Sequence, residues 1–134
     1  MGENMNVDDF VYAVETDKNF DDAVVSVLKV VEQKGWALFQ IYDVKERLLA
    51  KGFKQDQLKI IEICSAKYAN QLLNKNRLIS LCMPCKINVI NRTEKVLIAG
   101  MKPTIISELF NEIDKKELEQ VETDLIEMVN NASK

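Results

Sequence analysis

The feature that most constrains the fold is the alternation of short apolar segments with glycine, proline and polar turns. Residues 10–16 are rich in β-branched and aromatic side chains, which predicts a strand. Apolar residues then recur at helical spacing from Phe20 to Val31, which predicts an amphipathic helix. Gly35 follows where a left-handed residue would end that helix. The chain therefore opens with a strand followed by a helix.

Further apolar segments predict the rest of a sheet. Residues 36–42 and 58–64 are apolar, rich in aromatic or β-branched side chains, and each reads as a strand. Residues 85–90 alternate, residues 95–101 return as the next strand, and the polar stretch 91–94 joins them as a hairpin. A short piece just upstream, residues 78–81, is also expected to be extended.

Three helices are expected between and after these strands. Asp43 and Glu46 have capping-box spacing and open a short helix closed by Gly52, and Ser65 can cap a second helix. The C-terminal helix spans about residues 112–131. It carries an apolar stripe formed by Leu118, Val121, Leu125 and Met128. The stripe is expected to cover the sheet, with packing against a partner subunit as the alternative.

These elements predict an α+β fold. We expect an antiparallel sheet of about five strands with helices packed on one face, in the order strand, helix, strands, helix. The length of 134 residues suits a single domain over residues 1–134, with a flexible N-terminal tail over residues 1–8.

The net charge of the chain and the hydropathy along it limit the kinds of partner that the protein is expected to bind. The net charge of −3 carries no electrostatic signature of nucleic-acid binding. No apolar run approaches the roughly 18 residues that span a bilayer, and the polar N-terminus does not resemble a signal peptide. We therefore expect a cytoplasmic protein with no nucleic-acid or membrane partner. Its cysteines should be reduced or metal-bound in that compartment.

Three short motifs carry a family resemblance. Gly35-Trp36 follows the amphipathic helix, residues 60–64 read Ile-Ile-Glu-Ile-Cys before a helix, and residues 83–87 read Met-Pro-Cys-Lys-Ile at the start of the hairpin. In this order and spacing they resemble the family called domain of unknown function 302, over about residues 10–104. The resemblance implies an α+β domain with a fold like that of the TATA-box-binding protein, often found as a homodimer. It implies no known reaction.

Four residues of this chain match the pattern of the family that it resembles: Glu62, Cys64, Pro84 and Cys85. The chain departs from the family at three places. Lys86 stands where the family usually has arginine, Ser65-Ala66 replaces a frequent Asn-Pro, and Cys82 is an addition to the family pattern.

The three cysteines are the chemically distinctive residues, because the chain has no histidine. Cys64 ends one predicted strand and Cys85 begins a later one, with Cys82 three residues before it. If the two strands pair antiparallel, their ends lie side by side, and all three thiols converge at one edge of the sheet.

Several interpretations of this cysteine-lined edge remain open. Three thiolates suit a soft metal such as Zn or Cu, with Cys64, Cys82 and Cys85 as ligands. Cys82 and Cys85 could instead act catalytically in dithiol redox chemistry, or Cys85 in sulfur transfer. The structural alternative is that the cysteines pack as small apolar side chains. A Ser-His-Asp or Cys-His catalytic arrangement is excluded without histidine.

Two other residues are candidates for ligand binding. Glu62 alternates with apolar neighbours, so it faces either solvent or a pocket. Trp36 belongs to the core or stacks on a ligand. We thus expect a small homodimeric domain that binds a small ligand, metal or protein partner without catalysis. Thiol-based redox or sulfur transfer is the alternative. The candidate ligand-binding residues are Trp36, Glu62, Cys64, Pro84 and Cys85.

Overall fold

A computed structural model of the protein describes residues 6–134. Residues 1–5, most of the predicted N-terminal tail, lie outside the described residues. The helices and strands follow the chain as α1 (Val7–Phe10), β1 (Val11–Thr16), α2 (Phe20–Lys34), β2 (Ala37–Asp43), α3 (Val44–Leu49), β3 (Leu58–Cys64), α4 (Ala66–Lys75), a 3₁₀ helix (Arg77–Cys82), β4 (Cys85–Asn91), β5 (Val96–Met101), α5 (Ile105–Leu109) and α6 (Lys115–Ser133).

The five strands form one antiparallel sheet in the order β1-β5-β4-β3-β2. The predicted α+β class and five-stranded antiparallel sheet are confirmed. Strand β4 is central, and the hairpin that joins it to β5 is the one predicted from sequence. Strands β1 and β2 form the two edges.

The two long helices, α2 and α6, pack against each other and against one face of the sheet. Local sequence explains their ends. The Asn19 side chain accepts a hydrogen bond from the Asp22 backbone N–H at the start of α2, and Gly35 ends α2 with a left-handed φ of 81°. Asp114 and Glu117 form a capping box at the start of α6.

The core lies between these helices and the sheet. The apolar stripe of α6 is buried there against α2, β1 and β5, as expected for a helix that covers the sheet. Its packing within one chain opposes the alternative that this stripe contacts a partner subunit. Among residues 6–134 no long helix covers the opposite face of the sheet, which we call the open face.

Three local expectations need correction. Residues 78–81 are not extended but lie in the 3₁₀ helix, which Asn76 caps by accepting a hydrogen bond from the Leu78 N–H at 2.9 Å. Val7 and Asp8, expected in a flexible tail, lie in the short helix α1, where Asn6 and Asp9 form a capping box. The C-terminal helix begins at Lys115 and continues to Ser133, because Asp114 is its N-cap. No helix within residues 6–134 combines the length and apolar character needed to cross a bilayer.

Candidate functional site

A cavity of about 370 Å³ opens at the end of the sheet where β4 begins and β5 ends. Helix α5 and the end of the 3₁₀ helix complete its walls. We call it the thiol cavity, because Cys82 and Cys85 both line it. Its apolar walls include Phe10, Leu81, Pro84, Met101, Ile106 and Leu109.

The chain places the two thiols by a sharp change of structure between them. The 3₁₀ helix ends at Cys82, and the Met83 backbone N–H donates to the Ser80 carbonyl at 3.2 Å. The Met83–Pro84 peptide bond is cis, and β4 starts at Cys85. Met83 is extended, as expected for a residue before proline. Cys82 and Cys85 therefore reach the same cavity from two different elements.

Cys64 does not line this cavity. Cys85 pairs with Ile63 across β3 and β4, so Cys85 shares the helix-covered face with Ile63, and Cys64 lies on the open face. Within residues 6–134, no group of three or more cysteine, aspartate or glutamate side chains is arranged to hold a metal ion. Cys64 and Cys85 remain neighbours at the paired strand ends, but Cys64 lies on the other face from the cavity, and the described residues of a single chain do not form the predicted three-cysteine metal site. The physical reason is that successive side chains of β3 point to opposite faces of the sheet, so Cys64 cannot share the face of Ile63 and Cys85.

The environment of Cys85 favours its neutral thiol. Burial, reinforced by the nearby Cys64 and opposed by the positive charge of Lys86, raises the pKa of Cys85 to about 11. Burial also raises the pKa of Cys64. Because the thiolate is the nucleophile and the metal ligand, a protonated Cys85 at neutral pH is a poor catalyst. This geometry gives no support to redox or sulfur-transfer chemistry at Cys85.

The remaining predicted site residues fall in separate places. Pro84 lines the thiol cavity beside Cys85. Glu62 lies on the open face, where its carboxylate accepts a hydrogen bond of 2.8 Å from the Tyr42 hydroxyl. Trp36 is only 7% exposed and belongs to the core. The structure thus brings Cys82, Pro84 and Cys85 together and leaves Trp36, Glu62 and Cys64 outside the cavity.

Sequence reasoning missed the other half of the cavity wall, which comes from α5 and from the one end of the β1–β5 pair where β1 starts and β5 ends. Met101 and Leu109 are large apolar side chains that remain more than 45% exposed beside the cavity. Pro103 lies between them, just before α5. Nothing in the sequence placed this segment against Cys82 and Cys85, because the contact depends on strand order.

The comparisons with known proteins agree with this architecture. The family model described as domain of unknown function DUF302 matches residues 12–132. The chain is also similar to a crystal structure of an uncharacterised conserved protein, DUF302, from Bacillus stearothermophilus. That similarity has a TM-score of 0.84 at 24% sequence identity and covers 92% of this chain and 98% of that chain. No curated protein matches this chain. The chain belongs to the family described as domain of unknown function DUF302.

Proposed function

We propose that this domain binds a small apolar ligand in the thiol cavity without transforming it. The observation that carries the proposal is a preformed cavity of about 370 Å³ whose walls are apolar side chains and two thiols. Ligand sites in proteins are typically concave, mostly apolar and about 300–1,000 Å³ in volume. The cavity has this size and composition.

The mouth of the cavity supports the same proposal. Leu81 is 83% exposed, and Met101 and Leu109 also present large apolar side chains to solvent there. Scattered apolar residues are ordinary on a surface, but here three of them border one cavity. A ligand that enters the cavity also covers this apolar rim, which adds to the area removed from water.

The chemistry of the thiols supports binding over catalysis. The raised pKa of Cys85 keeps it protonated near neutral pH, and the chain has no histidine to act as a base. A neutral thiol packs as a small, weakly polar side chain. Cys82 and Cys85 then serve as cavity wall, where a polarizable sulfur contacts an apolar ligand.

Fluorescence titration with Nile red, an uncharged apolar dye, tests the proposal. We expect saturable binding with one dye per chain. Leu109→Trp places a bulky indole at the cavity mouth and should remove this binding. Leu49→Trp is the matched control, because Leu49 is also an exposed leucine of a short helix but does not line the cavity.

Methyl-group NMR locates the dye. Shifts confined to Met101, Ile106 and Leu109 would support the thiol cavity as the site. The absence of saturable binding to the natural chain, or equal loss of binding in the two tryptophan variants, would contradict the proposal.

We also propose a homodimer formed through the open face of the sheet. The specific observation is Asn88, at the middle of the central strand β4. Its side-chain Oδ1 is buried and has no hydrogen-bond partner within residues 6–134. Its position between the buried Ile87 and Val89 directs it to the open face. Half-buried apolar residues share that face, including Ile60, Ile90 and Leu97.

A second copy of the chain supplies the hydrogen-bond donor that the Oδ1 atom of Asn88 lacks. In a two-fold symmetric dimer the same patch contacts itself, so the Asn88 amide nitrogen of each chain can donate to Oδ1 of the other. Leaving a buried acceptor unpaired costs about 1–3 kcal/mol, which favours such a pairing. The partner is therefore taken to be a second copy of this chain.

Sedimentation velocity tests the dimer. We expect the natural chain to dimerise at micromolar concentration and Asn88→Asp to dissociate it, since two carboxylates would face each other across the two-fold axis. Asn74→Asp makes the same charge change on the exposed surface of α4 and should leave the dimer intact. A monomeric natural chain, or a dimer unaffected by Asn88→Asp, would exclude this interface.

The proposed location is the cytoplasm. All three cysteines are free thiols, and thiols persist in that reducing compartment. Recovery of the protein outside the cytoplasmic fraction of its native cells would overturn this assignment.

A further inference from the structure

Of the described residues that line the thiol cavity, one carries a charge. Lys86 lies at the start of β4, beside Cys85, and every other lining residue is apolar or a thiol. Its side chain is exposed and, one residue along β4 from Cys85, lies on the open face of the sheet at the edge of the cavity. The cavity therefore combines an apolar interior with a single cation at its edge.

The positive charge of Lys86 is not neutralised by an ion pair among residues 6–134, where the salt bridges involve Lys34, Lys75 and Lys95. Glu62 lies opposite Lys86 in strand register but forms no salt bridge with it within residues 6–134, and its carboxylate accepts the hydrogen bond from Tyr42. A nearby second lysine, Lys102, donates to the Asp8 carbonyl at 2.9 Å. Lys86 thus remains available to a ligand at the rim.

The charge of Lys86 is also felt inside the cavity. It lowers the pKa of the Cys85 thiol, against the larger effect of burial. Because Cys85 lines the cavity, an anionic group held beside Cys85 would be attracted by the same ammonium. The charge of Lys86 and the position of Cys85 in the cavity wall both favour an anionic group at this place.

We infer that the ligand of the thiol cavity is an aliphatic carboxylate, with its alkyl chain inside the cavity and its carboxylate paired with Lys86. This inference rests on the proposed function, because it names the chemical class of the apolar ligand. The apolar walls select the chain, and the lone cation selects the anionic head group. An apolar chain alone would fill the same walls but leave Lys86 without a partner.

Isothermal titration calorimetry with octanoate, decanoate and the matched alcohols, kept below micelle-forming concentrations, tests the inference. The natural chain should bind decanoate about tenfold more tightly than decanol, since a hydrogen bond to a charged group is lost in the alcohol. Each added methylene should tighten binding by about fourfold. Both effects are measured on the intact chain.

Lys86→Gln distinguishes the contribution of the ligand's carboxylate to affinity from that of its alkyl chain. The variant should lose about tenfold in decanoate affinity and leave decanol affinity unchanged, because only the charged hydrogen bond is removed. Lys116→Gln removes the same charge from an exposed residue of α6 that does not line the cavity, and it should change neither affinity.

The possible failures are distinguishable. If decanoate and decanol bind the natural chain equally, or if Lys86→Gln keeps the preference for decanoate, the carboxylate inference is overturned while apolar binding stands. If neither decanoate, decanol nor Nile red binds, the proposed function fails as well.

Discussion

Cys85 lies directly across from Ile63 in the antiparallel pairing of β3 and β4. Ile63 is fully buried beneath the helices, so its cross-strand partner Cys85 belongs to the same covered face. Cys64, one residue further along β3, therefore lies on the open face. This pairing places Cys64 and Cys85, the two cysteines that match the family pattern, on opposite faces of the sheet. It leaves Cys85 with Cys82 in the wall of an apolar cavity.

The first prediction concerns alkaline stability. The folded-state pKa of Cys85, about 11, lies above its ordinary value of 9.0, so folding favours the neutral thiol. This contribution is fully present below about pH 9 and is lost as pH rises towards about 11, where the thiolate forms in both states. This rise of the pKa from 9.0 to about 11 corresponds to about 3 kcal/mol. Urea unfolding over this pH range measures the loss.

The comparison with Cys85→Ala isolates this group, because Cys64, Tyr42 and Tyr68 also have raised pKa values and contribute to the same alkaline slope. Cys85→Ala should show a smaller loss of stability between pH 9 and 11 than the natural chain. Identical slopes for the natural chain and Cys85→Ala would refute the assignment.

The second prediction concerns the contact between Gly100 and α6. A Cβ atom at Gly100 would lie 3.1 Å from Leu125 Cδ2 and 3.2 Å from the Lys86 carbonyl oxygen. Gly100→Ala should therefore destabilise the fold by about 1–2 kcal/mol through overpacking. Thermal or urea unfolding measures the change. Leu125→Ala removes the side-chain part of the clash, so Gly100→Ala should cost less in that background. Equal costs in both backgrounds would show that Leu125 does not oppose the new methyl group.

The third prediction concerns the attachment of the end of α6 to β1. Thr16 is 3% exposed, and its hydroxyl donates to the Ser133 carbonyl at 2.7 Å. Thr16→Val keeps the shape but removes the donor, so the free energy of unfolding should fall by about 1–3 kcal/mol. Thr16→Ser retains the hydroxyl and should preserve protection of the last turn of α6 in hydrogen exchange. Natural protection in Thr16→Val would contradict a tethering role.

The fourth prediction concerns the start of α2. The Asn19 side chain accepts from the Asp22 N–H at 2.9 Å, satisfying one of the free donors at the helix N-terminus. Asn19→Ala should lower the free energy of unfolding by about 1 kcal/mol, whereas Asn19→Ser should keep most of it. Chemical denaturation of the three chains measures both values. If the alanine and serine variants are equally stable, the cap contributes nothing.

Some features of the site were visible in the sequence, and others were not. Cys82, Pro84 and Cys85 were singled out together, and they do line one cavity, because three residues of chain keep them close. Cys64 is a neighbour of Cys85, as antiparallel pairing predicted, but it does not line the cavity with Cys82 and Cys85. Antiparallel pairing was foreseen, but the register that sets Ile63, and not Cys64, opposite Cys85 depends on contacts distant in sequence.

The sequence by itself determined the five strands, the two long helices and the glycine that ends α2, since hydrophobic periodicity and Gly35 act over a few neighbouring residues. Only the tertiary structure decided that β5 lies between β1 and β4. That order brings α5 and Met101 against Cys82 and Cys85, and so forms the thiol cavity. The tertiary structure also decided the raised pKa of Cys85, because the residues that bury this thiol are far apart in the chain.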